Sequence, residues 1–552
     1  MSGSPTERKG VNRRGLLGSL GMAGAASVAA PVATAAPAVS PARGRTQIAT
    51  PKDLVVDTVY GPVRGYIDTG IRVFKGIPYA RPPVGAARFR PPEPPAKWTE
   101  VRWALVQGFN CPQYDYEDSD SFAAQFIRQR IVIDQDEDCL KLNVWTPAID
   151  GKKRPVMVWL HGGAFLNGSA GNNPATQGGN LARRGDMVVV SLNHRLNVFG
   201  YLDLSDYGPG YKDSVNAGAL DMVAALRWVR DNIARFGGDP GNVTIFGQSG
   251  GGAKVATLMS MPSAMGLFRR GIIQSSSSKI NSAEASKRLA QSLVQELGLS
   301  RATIGEIEKI PTETLLAAGV KASGRPLGGG VEWRPAVDGT VVSQHPFDPT
   351  APKISADLPL MIGGTRHEFS HYLLQKPLTE QTLEAAFAEK FGAAKGRELR
   401  GFFKARYPDA SPTEVMALVN VQPYRANHYR CAALKAQLGG APCYAYMFAW
   451  KTPQLDGLPL AFHSAELPFV FANTEACATY TGGTPEAAAL SAKVSDAWIA
   501  FARIGDPNHP GLPAWPKFDA GVQPVMVLDE TCRVMNRPFA DEAEAIRRAS
   551  AA

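Results

Sequence analysis

The stretch Val243–Met259, VTIFGQSGGGAKVATLM, constrains the fold more than any other part of the chain. Apolar and β-branched residues run straight into a glycine-rich turn, and a small-residue helical pattern follows without a linker. A strand that passes so abruptly into a helix has to turn sharply. Gly247 and Gly251 flank Ser249 in the G-x-S-x-G spacing such a turn requires. Small neighbours avoid clashes there, the serine hydroxyl is lifted above the sheet, and the helix N-terminus offers N–H groups to developing negative charge. A phosphate-binding loop is the competing reading. It needs G-x-x-x-x-G-K-[ST], whereas Gly252 is followed by Ala253, Lys254 and Val255, so the lysine comes one place late and no hydroxyl follows it.

The surroundings suit an α/β chain. RPVMVWL (Arg154–Leu160) and DMVVVSLN (Asp186–Asn193) read as buried strands, as do RGIIQS, LPLMIGG, CYAYMFAW and PVMVLD further on. Met222, Leu226, Val229 and Ile233 recur at helical spacing in LDMVAALRWVRDNIARF, and the stretches 281–316 and 379–438 are mainly helical in pattern. This alternation predicts a large, mostly parallel sheet covered by helices. No stretch of linker composition divides it, so one domain over residues 51–552 is expected. A hydrophobic content of 44% supports a sizeable core, and 20% charged residues exclude a disordered chain.

A second element follows a strand: WLHGGAFLNG, with His161-Gly162-Gly163-Ala164, suits a loop whose backbone N–H groups approach a substrate oxygen closely. A serine hydroxyl needs a base, and the base an acid. Six histidines follow Ser249 (His345, His367, His371, His428, His463 and His509), and the properties of single residues do not choose among them.

The choice comes from a resemblance. FKGIPYARPPVGAARFRPPEPPAKW, EDCLKLNVWTP, HGGAF, ALRWVRDNIARFGGDPGNVTIFGQSGGG, GLFRRGIIQS and AFHSAELPFVF occur in this order. Together they resemble the type-B carboxylesterase family, which includes bacterial para-nitrobenzyl esterases and the cholinesterases, over about residues 58–538. The resemblance implies an α/β-hydrolase fold and a serine ester hydrolase that needs no metal or organic cofactor. It implies Ser249 as nucleophile, Glu368 (from GGTRHEF) as acid and His463 (from HSAELPF) as base. The N–H groups of Gly163, Ala164 and Gly250 would be oxyanion donors, and Ser275 a hydroxyl near the acid. It also implies a disulfide between Cys111 and Cys139; the other four cysteines (Cys431, Cys443, Cys477, Cys532) are not paired by it. The chain departs from the family pattern at three places: Gln248 for glutamate, Gly250 for alanine and Phe369 for glycine.

Other features limit the reading. The loop between Cys111 and Cys139 has no tryptophan to serve as a cation–π platform, which argues against a choline ester. It carries Tyr114, Tyr116, Arg128 and Arg130, the arginines reading as surface charge, with an anionic substrate as the alternative. His367-Glu368-x-x-His371 fits the zinc-peptidase spacing H-E-x-x-H. That chemistry needs a helix at 364–373 and a third ligand, yet two glycines precede the motif and no metzincin continuation follows. A recognition protein of the same family that has lost its triad is the other alternative, and retention of all three residues argues against it.

The formal charge of +9 is scattered without a long basic run or a nucleic-acid motif, so no nucleic-acid partner is expected. Part of it, Arg8, Lys9, Arg13 and Arg14 against Glu7, lies in the first 36 residues. There Arg13-Arg14, an alanine- and leucine-rich stretch and Ala33-Thr34-Ala35 resemble a twin-arginine secretion signal, with residues 37–50 as linker. The stretch is too short and broken for a stable membrane span. Export to the periplasm or exterior is expected, which suits cysteines that pair in oxidising compartments. The natural ester, its acyl and alcohol preference and the oligomeric state stay open.

Overall fold

Alternate residues of the buried strands feed two separate hydrophobic layers, one on each face of the sheet. Val156, Val158 and Leu160 pack on one side while Met157 and Trp159 pack on the other; Val188 and Val190 oppose Val189 in the same way. Side chains alternate because the strand repeat is two, and a sheet covered on both faces selects continuous apolar runs. The computed structural model describes residues 47–114, 122–276, 278–324 and 332–551. The expected signal, residues 1–36, and most of the linker lie outside the described residues.

The central strands are β1 (Lys141–Thr146), β2 (Arg154–Leu160), β3 (Val188–Leu192), β4 (Gly238–Gln248), β5 (Arg270–Gln274), β6 (Leu360–Thr365), β7 (Cys443–Phe448) and β8 (Pro524–Leu528). They lie side by side as β1-β3-β2-β4-β5-β6-β7-β8 within a 12-stranded sheet. From β3 to β8 every pairing is parallel, and β1 runs antiparallel to β3. The expected large, mostly parallel sheet is therefore present, and residues 47–552 form one unit. Ile48 and Ala49 already pair with the strand Tyr66–Asp68. β4 is longer than its apolar core predicts: it starts at Gly238, and its register against β2 shifts between Gly238 and Val243, where the turn residues sit.

Helices cover both faces. α1 (Ala217–Asn232) lays Met222, Leu226 and Val229 on one layer. α2 (Gly250–Leu258) follows β4 directly, and α3 (Pro412–Asn420) and α4 (Gln422–Gln437) belong to the expected helical region. α5 (Pro485–Ile504) buries Leu490, Val494, Trp498 and Phe501 on the opposite layer. Each such fully buried large side chain contributes on the order of 2–3 kcal/mol by removal from water. None of the described helices is long and apolar enough to cross a membrane.

Candidate active site

The loops that follow β2, β4 and β6 meet at the carboxyl edge of the sheet, where parallel α/β sheets open their crevices. Ser249 is the single residue between the end of β4 and the start of α2, with φ 58° and ψ −124°. Its N–H donates to Gln274 O on β5 at 2.8 Å, which anchors the strained turn to the neighbouring strand. At Gly251 a Cβ would run into the Leu160 carbonyl, so a glycine is required for α2 to start this close to β2.

Beyond β2, Gly163 (φ +88°) and Ala164 (φ 53°) wrap around the same point. Gly163 O accepts from Leu166 N at 3.1 Å and Asn167 N at 3.0 Å, closing a tight turn. Among the described residues, none of the N–H groups of Gly163, Ala164 and Gly250 donates to a backbone acceptor outside its own helix. Gly250, a departure from the family pattern, has a structural reason: a Cβ there would meet the backbone of Ala164. The loop and the elbow thus approach closer than an alanine would permit. Behind the loop the fully buried Lys254 donates from Nζ to His161 O at 2.8 Å. Burial pushes that amine well below its ordinary range.

Glu368 stands three residues beyond β6 with φ 30°, and its side chain is 1% exposed. Its Oε1 accepts from Thr365 N at 2.9 Å, and its Oε2 lies 2.5 Å from His463 Nδ1, 95 residues away in sequence. Burial works to raise this carboxyl. The His463 imidazole, then His428 on α4 and the Ser275 hydroxyl outweigh it and hold the group below the usual carboxylate range. Among the described residues the Ser275 hydroxyl makes no hydrogen bond of good geometry, so its influence is one of proximity. The main chain reinforces the pair, because His463 N–H donates to Glu368 O.

Ser249 and His463 line one cavity of about 240 Å³, with Gly163, Ala164, Trp159 and Tyr480 in its wall. His463 Nε2 lies 3.1 Å from the side-chain amide of Gln248, the residue before the serine. Serine–base contacts are often looser before substrate binds. Ser249, His463 and the loop of Gly163 and Ala164 thus line one cavity, and Glu368 stands behind His463.

Cys111 and Cys139 are both buried, and the proximity of Cys111 raises the Cys139 thiol well above its ordinary value. All six cysteines are free thiols, so the disulfide implied by the resemblance is not formed in this structure.

The histidines of RHEFSH have separate partners. His367 directly follows the strand–loop segment, and residues 368–375 form a 3-10 turn kinked at Phe369 rather than the α-helix a zinc-binding pair needs. His367 Nδ1 accepts from Ala461 N at 3.3 Å, and His367 N–H donates to Ala461 O at 3.1 Å. Ser370 Oγ adds a bond to Pro459 O at 2.6 Å. The segment therefore clamps the acid turn to the loop that carries His463. On its other edge His367 Nε2 faces Glu414, which is ion-paired to Lys451 at 2.8 Å. His371 Nε2 instead meets Arg128 at 3.0 Å. Among the described residues no group of three His, Cys, Asp or Glu side chains is gathered to hold a metal ion.

Reading the sequence alone overlooks several neighbours. His428 packs beside Glu368, with Gly364 leaving the room for it. Glu466, also in HSAELPF, is fully buried and pushed up to about 8 by burial and by Glu368, so it stays neutral and leaves one charged carboxylate at the base. Phe369, where the family has glycine, packs its ring 4.5 Å from the His463 ring and 4.9 Å from Tyr424. Its departure from the family pattern was the available signal; His428 had none.

Comparison with known proteins agrees with this geometry. The carboxylesterase family profile matches residues 52–546. The para-nitrobenzyl esterase of Bacillus subtilis (strain 168) is 35% identical over 89% of this chain and 98% of its own length. The phenmedipham hydrolase of Pseudarthrobacter oxydans is 35% identical over 88% of this chain and 97% of its own. Among solved structures, an esterase from the anaerobe Clostridium hathewayi, described as able to hydrolyse aliphatic aromatic polyesters, superposes with a TM-score of 0.80. It is 36% identical and covers 91% of this chain and 99% of its own.

Proposed function

The chain belongs to the carboxylesterase family and is a carboxylic-ester hydrolase of the α/β-hydrolase fold, and from that premise we propose that it is a secreted serine esterase working through a Ser249–His463–Glu368 triad and an acyl-enzyme. One observation carries the reading: the imidazole of His463, which shares a cavity wall with Ser249 on its strained turn, has the buried Glu368 carboxylate 2.5 Å from its Nδ1.

Ser249 Oγ forms a bond to the ester carbonyl carbon as its proton passes to His463 Nε2. Glu368 holds the imidazole by Nδ1–H and stabilises the imidazolium. The carbonyl oxygen, now an oxyanion, takes hydrogen bonds from the N–H groups of Gly163, Ala164 and Gly250. Collapse breaks the bond to the alcohol oxygen, which leaves with the proton from His463. Water, deprotonated by the same imidazole, then releases the acid and regenerates Ser249. Strained φ at Ala164, Ser249, Ser275 and Glu368 is consistent with a site held in shape by its surroundings.

The twin-arginine pattern supports export, and in an oxidising compartment Cys111 and Cys139 would pair, closing the loop at the cavity. The test is Ser249→Ala assayed on 4-nitrophenyl esters. It lowers kcat by several orders of magnitude, and an organophosphate adds its mass to the wild type but not to the variant. Wild-type turnover by the variant overturns the mechanism.

A further inference from the structure

A fully buried amine stands behind the oxyanion loop, and no step of the hydrolysis uses it. Lys254 lies on α2 one turn beyond Gly250, so both residues look out from the same face of the helix. That face meets the loop after β2 at two places. Gly250 lies against the backbone of Ala164, and Lys254 Nζ donates to His161 O at 2.8 Å. The next carbonyl is held as well, since Gly162 O lies 2.8 Å from His161 Nδ1. A carbonyl oxygen only accepts, so Nδ1 carries the ring proton, and the amine, 3.4 Å from it, bonds to the His161 carbonyl. Burial first, and the field of Lys254 after it, hold His161 well below its ordinary value, so the ring stays neutral. Gly168 closes over this arrangement: a Cβ there would run into Gly162 O and His161 Nδ1. The third carbonyl, Gly163 O, is taken by the N–H groups of Leu166 and Asn167.

In a trans peptide the C=O of one residue and the N–H of the next point in opposite directions. The peptide bonds of this loop are trans. Tying the carbonyls of His161, Gly162 and Gly163 therefore sets the directions of the N–H groups of Gly162, Gly163 and Ala164. The ties matter here because Gly162 and Gly163 bring no side chain to restrain their backbone. We propose that Lys254 is a positioning residue of the ester hydrolase: by holding the His161 carbonyl it keeps the loop turned so that the N–H groups of Gly163 and Ala164 aim at the oxyanion. The inference rests on the serine-esterase reading of the same site and deepens it. Because α2 starts directly after Ser249, the amine also fixes the loop to the element that carries the nucleophile.

The test compares the full-length wild type with two variants. Lys254→Met is of similar length and apolar but does not donate, and Lys254→Gln keeps an N–H on a chain one bond shorter. Active sites are counted by the 4-nitrophenol released on reaction with an organophosphate, so misfolded protein drops out of the comparison. One oxyanion donor is worth about 10²–10³ in kcat. A residue that aims donors without touching the oxygen is expected to cost less, so Lys254→Met lowers kcat on 4-nitrophenyl butyrate by about 10–100-fold with KM within about threefold. A second reading uses an inhibitor pair, 1,1,1-trifluoro-4-phenylbutan-2-one and 4-phenylbutan-2-one. Ser249 Oγ adds to the trifluoromethyl ketone and leaves an oxyanion, whereas the methyl ketone binds largely unreacted. The advantage of the trifluoromethyl ketone in Ki is expected to fall about tenfold or more in Lys254→Met, and less in Lys254→Gln. An advantage and a kcat within about twofold of wild type in Lys254→Met overturn the inference, whatever the melting temperature. A Lys254→Gln that fares worse than Lys254→Met overturns it too, because packing and not the donated hydrogen bond would then be what counts. A wild type without the advantage refutes the serine mechanism and this inference with it. If the wild type shows the advantage and Lys254→Met keeps it, the ester-hydrolase reading stands while this inference falls.

Discussion

Glu368→Gln tests the site at its most sharply defined contact. The substitution keeps the shape of the side chain and removes its charge. Oε1 of Glu368 is fixed as an acceptor for the Thr365 N–H at 2.9 Å, so the glutamine must keep its carbonyl oxygen there. Its amide nitrogen then falls where Oε2 stood, 2.5 Å from His463 Nδ1. An N–H donor facing Nδ1 forces the ring proton onto Nε2, the nitrogen that has to accept from Ser249. The imidazolium also loses the buried anion that stabilises it. In a serine-protease triad the same acid-to-amide exchange lowers kcat by about 10⁴; a fall of about 10³–10⁴ here corresponds to about 4–5.5 kcal/mol of transition-state stabilisation. KM is expected to stay within about threefold, because neither the oxyanion loop nor the cavity wall changes. The assay is steady-state hydrolysis of 4-nitrophenyl butyrate, with thermal melting to verify the fold. A kcat within about tenfold of wild type, in a protein that melts normally, would refute the assignment of Glu368 as the acid partner.

Phe369 and Tyr372 stand between the catalytic cavity and a second cavity of about 130 Å³ lined by Leu373, Ala417 and Val421. Phe369→Ala is expected to join the two, raising kcat/KM for naphthyl esters relative to butyrate severalfold while the loss of the ring against His463 lowers kcat on small esters; an unchanged ratio counts against the partition. Five buried histidines (His161, His194, His367, His371 and His428) are held below their ordinary value, burial being the leading cause in each. The unfolded chain therefore binds more protons than the native one as pH falls. Stability is full above about pH 6.5 and drops towards pH 4, with a limiting slope of about 1.4 kcal/mol per pH unit for each titrating histidine. For His367, held down to about 4, the loss spans that whole window, so urea unfolding of His367→Gln between pH 4 and 7 is expected to give a slope shallower by about one proton. An identical slope would show that His367 does not titrate on unfolding.

How legible was the site? Ser249 and the oxyanion loop are readable locally because a strand-to-helix turn with small flanking residues has few other uses. The buried strands are readable because a parallel sheet covered on both faces permits only apolar side chains along Arg154–Leu160 and Val188–Leu192. His463 and Glu368 are legible only through the family resemblance, since neither residue type nor spacing links groups 95 positions apart. His428 and Glu466 escape the sequence because their influence on the site depends on distances between separate elements. RHEFSH shows the opposite fault. Its spacing is right for a metal, but the positive φ at Glu368 and the kink at Phe369 turn its two imidazoles to different partners.

By itself, then, the sequence determined the architecture, the sharp turn at Ser249 and the candidate nucleophile, because hydrophobic period and turn sterics act over a few neighbouring residues. Tertiary structure alone decided that His367 ties the loops of Glu368 and His463 together, that His428 packs beside Glu368, and that Glu466 is buried close enough to Glu368 to stay neutral. Those relations come from strand order and loop packing, which bring charges together from distant parts of the chain, and no local pattern encodes a distance of that kind.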